Sequence, residues 1–315
     1  MITHRFIETN GVRLRVAEAG EGPLVVLLHG FPECWYSWRH QIPALVAAGH
    51  RVVVPDQRGY GESDRPGAVD EYTMLHLVGD VVGLVQALGE REAVVVGHDY
   101  GALVAWQTAL LRPDVVRGVV GLSVPPNYRG EAPPLRTTRE RYAGHYYWNH
   151  FEEPGVADAE YGRDPRTTLR RMFYNLSGDN PANDPVPIPL MIPPGTSLVD
   201  RLPEPPAPSP WLTEADLDVF ADSFRASGFT GGLNWYRAMD RTWELTGAWA
   251  GATVRRPALY VVGERDPARV LPGMEEFVAA LPLPRATVPG AGHWVQQERP
   301  EEVNGMLLEF LEDLR

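Results

Sequence analysis

Ala93-Val94-Val95-Val96-Gly97-His98-Asp99-Tyr100-Gly101-Ala102 is the stretch on which the reading of the fold turns. Three consecutive valines bounded by turn residues predict a short buried strand, because β-branched side chains fit a pleated core. Leu103, Val104 and Leu110 follow at helix-compatible spacing, so a helix opens at once. Gly97 and Gly101 flank Asp99 at i−2 and i+2, as a sharp strand-to-helix turn requires where the backbone is strained and closely packed. The residue at the apex is pushed above the sheet, at a helix N-terminus that favours negative charge. That residue is an aspartate. Taken alone, Gly-X-Asp-X-Gly reads equally as a turn in which Asp99 caps the helix.

Working outward, Arg5–Thr9 and Val12–Glu18 read as two strands joined at Asn10-Gly11, a strong hairpin signal. Leu24–Leu28 is continuously apolar, as a strand covered on both faces should be, and runs into the turn His29-Gly30-Phe31-Pro32. Trp35 to Ala48 has helical spacing, Val52–Pro55 reads as a strand, and Asp56 to Gly61 as a glycine-punctuated structural loop. Thr73 to Leu88 predicts a helix with Leu75, Leu77, Val78, Val81, Val82, Val85 and Leu88 on its inner face. Val116–Leu122 is a further apolar strand. Strands alternating with helices at this pitch predict a mostly parallel α/β sheet.

After Val124-Pro125-Pro126 the apolar strand runs vanish until about residue 250. Helices are expected near 137–150, 163–176, 213–227 and 232–248. Pro181 to Pro210 is too rich in proline for helix or central strand; its Ile188, Leu190, Met191 and Ile192 suggest an ordered functional loop at the entrance to a site. From Arg256 the α/β pattern returns, with strands at Ala258–Val262 and Ala286–Val288 and helices near 272–281 and from Pro300 to Leu314. The expected organisation is a core of residues 1–126 and 251–315 interrupted by a helical cap at 127–250. Ligands of such sheets bind beyond the carboxyl ends of the strands.

The chain has 315 residues, 44% hydrophobic and 22% charged, ordinary for a globular protein. A formal charge of −12 makes nucleic acid and anionic membranes poor partners. The N-terminal sequence has no apolar signal-like run and no stretch approaches 18 apolar residues. The one cysteine, Cys34, reads as a small buried residue and cannot form an internal disulfide. A cytoplasmic protein is expected, with a homodimer left open. No histidine–carboxylate cluster has metal-ligand spacing and no glycine loop has a phosphate-binding pattern, so neither metal nor cofactor is expected.

Three strand ends carry polar residues: Asp99, then Asp266 in Gly263-Glu264-Arg265-Asp266-Pro267, then His293 in Gly290-Ala291-Gly292-His293-Trp294. Singly, Asp266 and His293 read as turn residues. In this order, each after a strand, they resemble the α/β-hydrolase family with an aspartate in the nucleophile elbow. A carboxylate nucleophile displaces a leaving group at sp³ carbon and becomes an alkyl ester. The resemblance implies that His293, oriented by Asp266, activates the water that cleaves this ester. It also puts the backbone amides of Phe31 and Tyr100 in the oxyanion positions.

Aspartate elbows serve epoxide opening and carbon–halogen cleavage. Haloalkane dehalogenases differ from this chain, with tryptophan where Tyr100 stands and commonly asparagine where Phe31 stands; fluoroacetate dehalogenases have arginine in place of Tyr100. Soluble epoxide hydrolases instead take two tyrosines from the lid as proton donors. Tyr147-Trp148-Asn149-His150-Phe151-Glu152-Glu153-Pro154-Gly155 and Gly232-Leu233-Asn234-Trp235-Tyr236-Arg237 resemble the two lid segments of that subfamily, as does His-Gly-Phe-Pro-Glu at 29–33. Tyr147 and Tyr236 are the implied donors, with Tyr146 and Tyr142 competing for the first place. His98 reads as a packing or hydrogen-bonding neighbour of the elbow, and Trp35, Trp148, Trp235 and Trp294 are expected to contact substrate. The resemblance implies hydrolysis of a small, apolar epoxide to a vicinal diol, without cofactor. A dehalogenase, an ester hydrolase and a catalytically silent ligand-binding homologue are the alternatives.

Overall fold

The computed structural model describes residues 1–183, 191–193, 195–270 and 274–314. Strands β1 (Thr3–Thr9) and β2 (Val12–Ala19) pair antiparallel with Thr9 opposite Val12. Asn10 and Gly11 between them have φ of 45° and 77°, the two positive angles that a tight two-residue hairpin turn demands. β3 (Leu24–Leu28), β4 (Arg51–Pro55), β5 (Ala93–His98), β6 (Val116–Leu122), β7 (Ala258–Gly263) and β8 (Arg285–Val288) complete the strands of the described residues. They form one sheet in the order β1-β2-β4-β3-β5-β6-β7-β8. β2 runs antiparallel to β1 and β4, and every later pair is parallel. β3 is buried along its whole length, which explains its unbroken apolar sequence.

Helices α1 (Gln41–Ala47), α2 (Met74–Ala87) and α3 (Tyr100–Leu111) connect the first parallel strands. The helical spacing of 35–48 resolves into a 3₁₀ turn at Trp35–Trp38 and then α1. Pro43 accounts for the break: inside one continuous helix its ring would meet the carbonyl of Arg39, whereas in the first turn of α1 it is tolerated. On α2, Leu84 is buried and Leu75 only half-buried, a small rotation from the expected inner face. The Asp56–Gly61 loop is bolted down by Asp56 accepting from the Trp35 amide at 3.0 Å and by a buried Arg58–Asp80 pair at 2.6 Å.

Between β6 and β7 the described chain is helical: α4 (Pro134–Tyr142), α5 (Tyr147–Glu152), α6 (Val156–Gly162), α7 (Pro165–Leu176), α8 (Leu198–Arg201), α9 (Glu214–Ser227), α10 (Thr230–Arg237) and α11 (Met239–Leu245). The helix expected over 137–150 is two, because Ala143 and Gly144 take φ of 51° and 75° and end α4 in a left-handed turn. The one expected over 232–248 also divides, at Ala238. Of the apolar residues in the proline-rich stretch, Ile188 and Leu190 lie outside the described residues. Ile192 is buried and donates its amide to His145 at 2.6 Å, and Met191 bridges to Tyr146. α12 (Met274–Ala280), α13 (Val295–Glu298) and α14 (Pro300–Asp313) close the chain; residues 272 and 273 of the expected helix lie outside the described residues. Among the described residues no helix is long and apolar enough to cross a membrane.

Candidate active site

The turn from β5 into α3 is built by exclusion of side chains. A Cβ on Gly97 would overlap the Gly101 carbonyl, and one on Gly101 would overlap the carbonyls of Leu28 and His29 at the end of β3. Both glycines are thus required by close backbone approach. Asp99 sits between them at φ 52°, ψ −123°, a conformation costing a non-glycine residue about 1–3 kcal/mol that the packed surroundings must hold. Its carboxylate lies against Gly30, where any side chain would collide with it.

The Phe31 amide donates to Asp99 Oδ1 at 2.8 Å, and His293 Nε2 lies 3.4 Å from Oδ2. The other histidine nitrogen, Nδ1, faces both oxygens of Asp266 at 3.2 and 3.1 Å. Asp266 also accepts the Ala268 amide at 2.9 Å, so its carboxylate is held from a second side. Burial pushes the Asp99 carboxyl up, but the hydrogen bond and charge of His293, with His98 and the Phe31 amide, bring it below the usual carboxylate range. Burial disfavours charge on His293, yet Asp266 and then Asp99 hold its pKa well above the ordinary value. Both directions favour an ion pair, a carboxylate nucleophile candidate beside a protonated imidazole.

The backbone of His293 is pinned at every polar atom. Its N–H donates to Leu176 at the end of α7 at 2.8 Å. Its carbonyl accepts from His98 Nε2 at 2.8 Å and from Ser123 Oγ at 2.6 Å. A carbonyl can only accept, so His98 carries a proton on Nε2. His98 Nδ1 meets Glu33 at 2.6 Å, and Glu33 also accepts from Gly30, Gln296 and Gln297. Burial raises the Glu33 carboxyl, and His98, the Gly30 amide and His29 together outweigh it, leaving it lowered.

Above Asp99 lies a cavity of about 410 Å³ that the helices between β6 and β7 close over the strand ends. Asp99, His293, Asp266, Phe31, Tyr100, Tyr147 and Tyr236 all line it. The rings of Tyr147 and Tyr236 are 6.1 Å apart, and Phe151 packs against both. Burial raises both phenols well above their ordinary value, and the Asp99 charge raises each further. They are therefore protonated donors at neutral pH. Tyr146 also lines the cavity, but burial and Tyr142, not Asp99, raise its phenol, and its ring stacks on Tyr142 at 5.2 Å. Arg237, following Tyr236, donates to the Phe151 carbonyl at 2.8 Å and pairs with Asp158, so it ties α10 to α5 and α6.

Of the four tryptophans expected to contact substrate, Trp148 alone lines the cavity. Trp35 packs edge-on to His4 and Tyr36 outside it. Trp235 precedes Tyr236 on α10 and so points about 100° away; its indole donates to the Arg58 carbonyl at 3.0 Å and packs on Tyr60 and Tyr100. Trp294 is buried behind His293 and donates to the Phe173 carbonyl at 2.9 Å. The Tyr100 hydroxyl is committed too, to the Trp235 carbonyl at 2.7 Å. Among the described residues no group of three or more His, Cys, Asp or Glu side chains could hold a metal ion.

The family model described as alpha/beta hydrolase fold matches residues 23–300. Epoxide hydrolase A of Mycobacterium tuberculosis is 47% identical over 318 residues, covering 99% of this chain and 98% of that protein. Epoxide hydrolase 2 of Siraitia grosvenorii is 41% identical, with 98% of each chain covered. Among solved structures, epoxide hydrolase A from Mycobacterium thermoresistibile superposes with a TM-score of 0.92 at 49% identity, over 99% of this chain and 98% of that one. An epoxide hydrolase from an endophytic Streptomyces gives 0.94 at 46% identity, over 100% and 96%.

Proposed function

The chain belongs to the α/β-hydrolase fold family and is an epoxide hydrolase, and we propose that it makes vicinal diols through an alkyl ester on Asp99. The observation that carries this mechanism is one cavity in which two protonated phenols, Tyr147 and Tyr236, stand across from a carboxylate that His293 and Phe31 already orient. Asp99 Oδ2 attacks an epoxide carbon, the carbon–oxygen bond breaks, and the departing alkoxide takes a proton from a tyrosine. Phe31 holds Oδ1, which becomes the ester carbonyl and then the oxyanion when water adds. The amide of Tyr100 is assigned as the second donor, Asp266 orients His293, and Trp148 contacts the substrate.

Single turnover in oxygen-18 water tests the ester directly. Water gives one proton to His293 and attacks Cγ; the Cγ–Oδ2 bond breaks as His293 passes that proton to the departing oxygen, and the second water proton restores the tyrosine, so the first diol carries off an aspartate oxygen. The label should appear in the peptide containing Asp99 and be absent from that diol. Direct attack by water would put it in the diol. A halide leaving group would need N–H donors; the phenols favour an epoxide oxygen instead. A cytoplasmic location belongs to the same proposal, supported by a single cysteine that cannot form an internal disulfide.

The lid donors have their own expected result. Tyr147→Phe and Tyr236→Phe should each slow ring opening of styrene oxide by roughly 10- to 100-fold, and the double variant should nearly stop it. Tyr146→Phe should matter least, as judged from rapid-quench rates of ester formation.

A pH dependence follows from the ion pair. Alkylation removes the Asp99 charge, one of the two influences that hold His293 protonated. The imidazole of the ester form therefore gives up its proton more readily and can accept one from water. Acidification re-protonates it and slows hydrolysis, so the steady-state fraction of enzyme present as ester should rise as pH falls. A fraction that rose with pH would contradict this order of events.

A further inference from the structure

Glu298, on α13, is 5% exposed and belongs to none of the groups that touch the cavity. Its Oε2 accepts the amides of Gly178 and Gly292, each at 2.8 Å, and Oε1 accepts the amide of Trp294 at 3.0 Å. Two of these donors are the residues immediately before and after His293. The third follows Ser177 at the end of α7, whose Leu176 carbonyl takes the His293 amide itself. The approach is tight: a Cβ on Gly292 would overlap the Gly178 amide and the Ser177 backbone, and one on Gly178 would overlap the Gly290 carbonyl. Arg265, beside Asp266, donates to the Gly178 carbonyl at 3.1 Å, so the acid-bearing loop meets the same point.

We infer that Glu298 is a positioning residue for His293, fixing the histidine's backbone from both sides and tying it to the helical segment over the site. A carboxylate suits this place because three N–H donors converge on it and it can only accept. Burial pushes the carboxyl up to about 7 against those amides, with Asp179 adding to the rise. The relevant assays therefore belong on the alkaline side of that value. Glu298 and Gly178 do not line the cavity, so their link to Asp99 runs through His293. The inference rests on the ester mechanism proposed above, and it assigns Glu298 chiefly to the second step: ring opening draws on His293 only through its pairing with Asp99, whereas hydrolysis needs His293 aimed at a water.

Glu298→Gln replaces one acceptor oxygen with an N–H₂ group, so at least one amide loses its partner. The measurement is the fraction of enzyme present as ester during steady-state turnover of styrene oxide, by intact mass after acid quench, with rapid-quench rates for each step. Hydrolysis should slow by roughly tenfold or more, as small misplacements of a catalytic group do, while ester formation slows far less and the ester fraction rises. Glu298→Asp keeps the charge one methylene back and should give a smaller rise; it serves for the same measurement if the glutamine variant does not fold. An unchanged ester fraction, or both steps slowed in proportion together with a lower Tm, overturns the inference and leaves Glu298 a structural residue only. Failure of His293→Ala to accumulate ester would overturn the inference together with the mechanism beneath it.

Discussion

Asp99→Ala is expected to abolish diol formation, with kcat falling roughly 10⁴-fold or more, as when the nucleophile of a covalent mechanism is deleted. Each function of the residue is lost at once: no oxygen attacks the epoxide carbon, no ester forms, and the Phe31 amide loses its acceptor. The phenols and His293 remain, so any residual activity reports direct opening by water. The fold should survive, because the glycines at 97 and 101 define the turn and alanine removes only the side chain. Alanine inherits the positive φ of position 99, so a modest change in Tm is expected rather than loss of structure. Circular dichroism beside a diol assay separates the two. Near-native turnover in a folded variant would remove Asp99 from the centre of the mechanism.

The elbow was legible in the sequence because its cause is steric and local: a strand, two glycines where backbones nearly touch, and a helix. Asp266 and His293 were legible as strand-end residues, since β7 and β8 run parallel to β5 and deliver their carboxyl ends to one rim. Residue type carried less information about facing. Trp235 and Tyr236 are neighbours in a single motif, yet α10 turns one toward Arg58 and the other into the cavity. Helix boundaries in the segment between β6 and β7 were read too long, because Ala143 and Ala238 look like helix formers and only tertiary packing sets their backbone angles. Glu298, Ser123 and the full role of His98 left no sequence signal. What they bind around His293 is backbone N–H and C=O, present at every residue and placed only by the fold.

His293→Ala should leave ring opening possible and halt the enzyme one step later. Asp99 keeps its Phe31 hydrogen bond and the phenols keep their protons, so the ester can form, although loss of the imidazolium raises the Asp99 pKa and slows the attack somewhat. Hydrolysis loses its general base, an effect of about 10²- to 10⁴-fold, enough for the ester to accumulate. Ring opening expels nothing, so intact protein should gain the full mass of the epoxide. A haloalkane would add only its alkyl group, having lost the halide, and the two increments distinguish the reaction classes on one spectrum. The adduct should map to the peptide spanning the β5–α3 turn and should be absent from an Asp99→Ala/His293→Ala double variant. An epoxide adduct on any other residue, or a variant that trapped haloalkanes alone, would overturn the assignment of Asp99 as the atom donor and of His293 as the base that frees it.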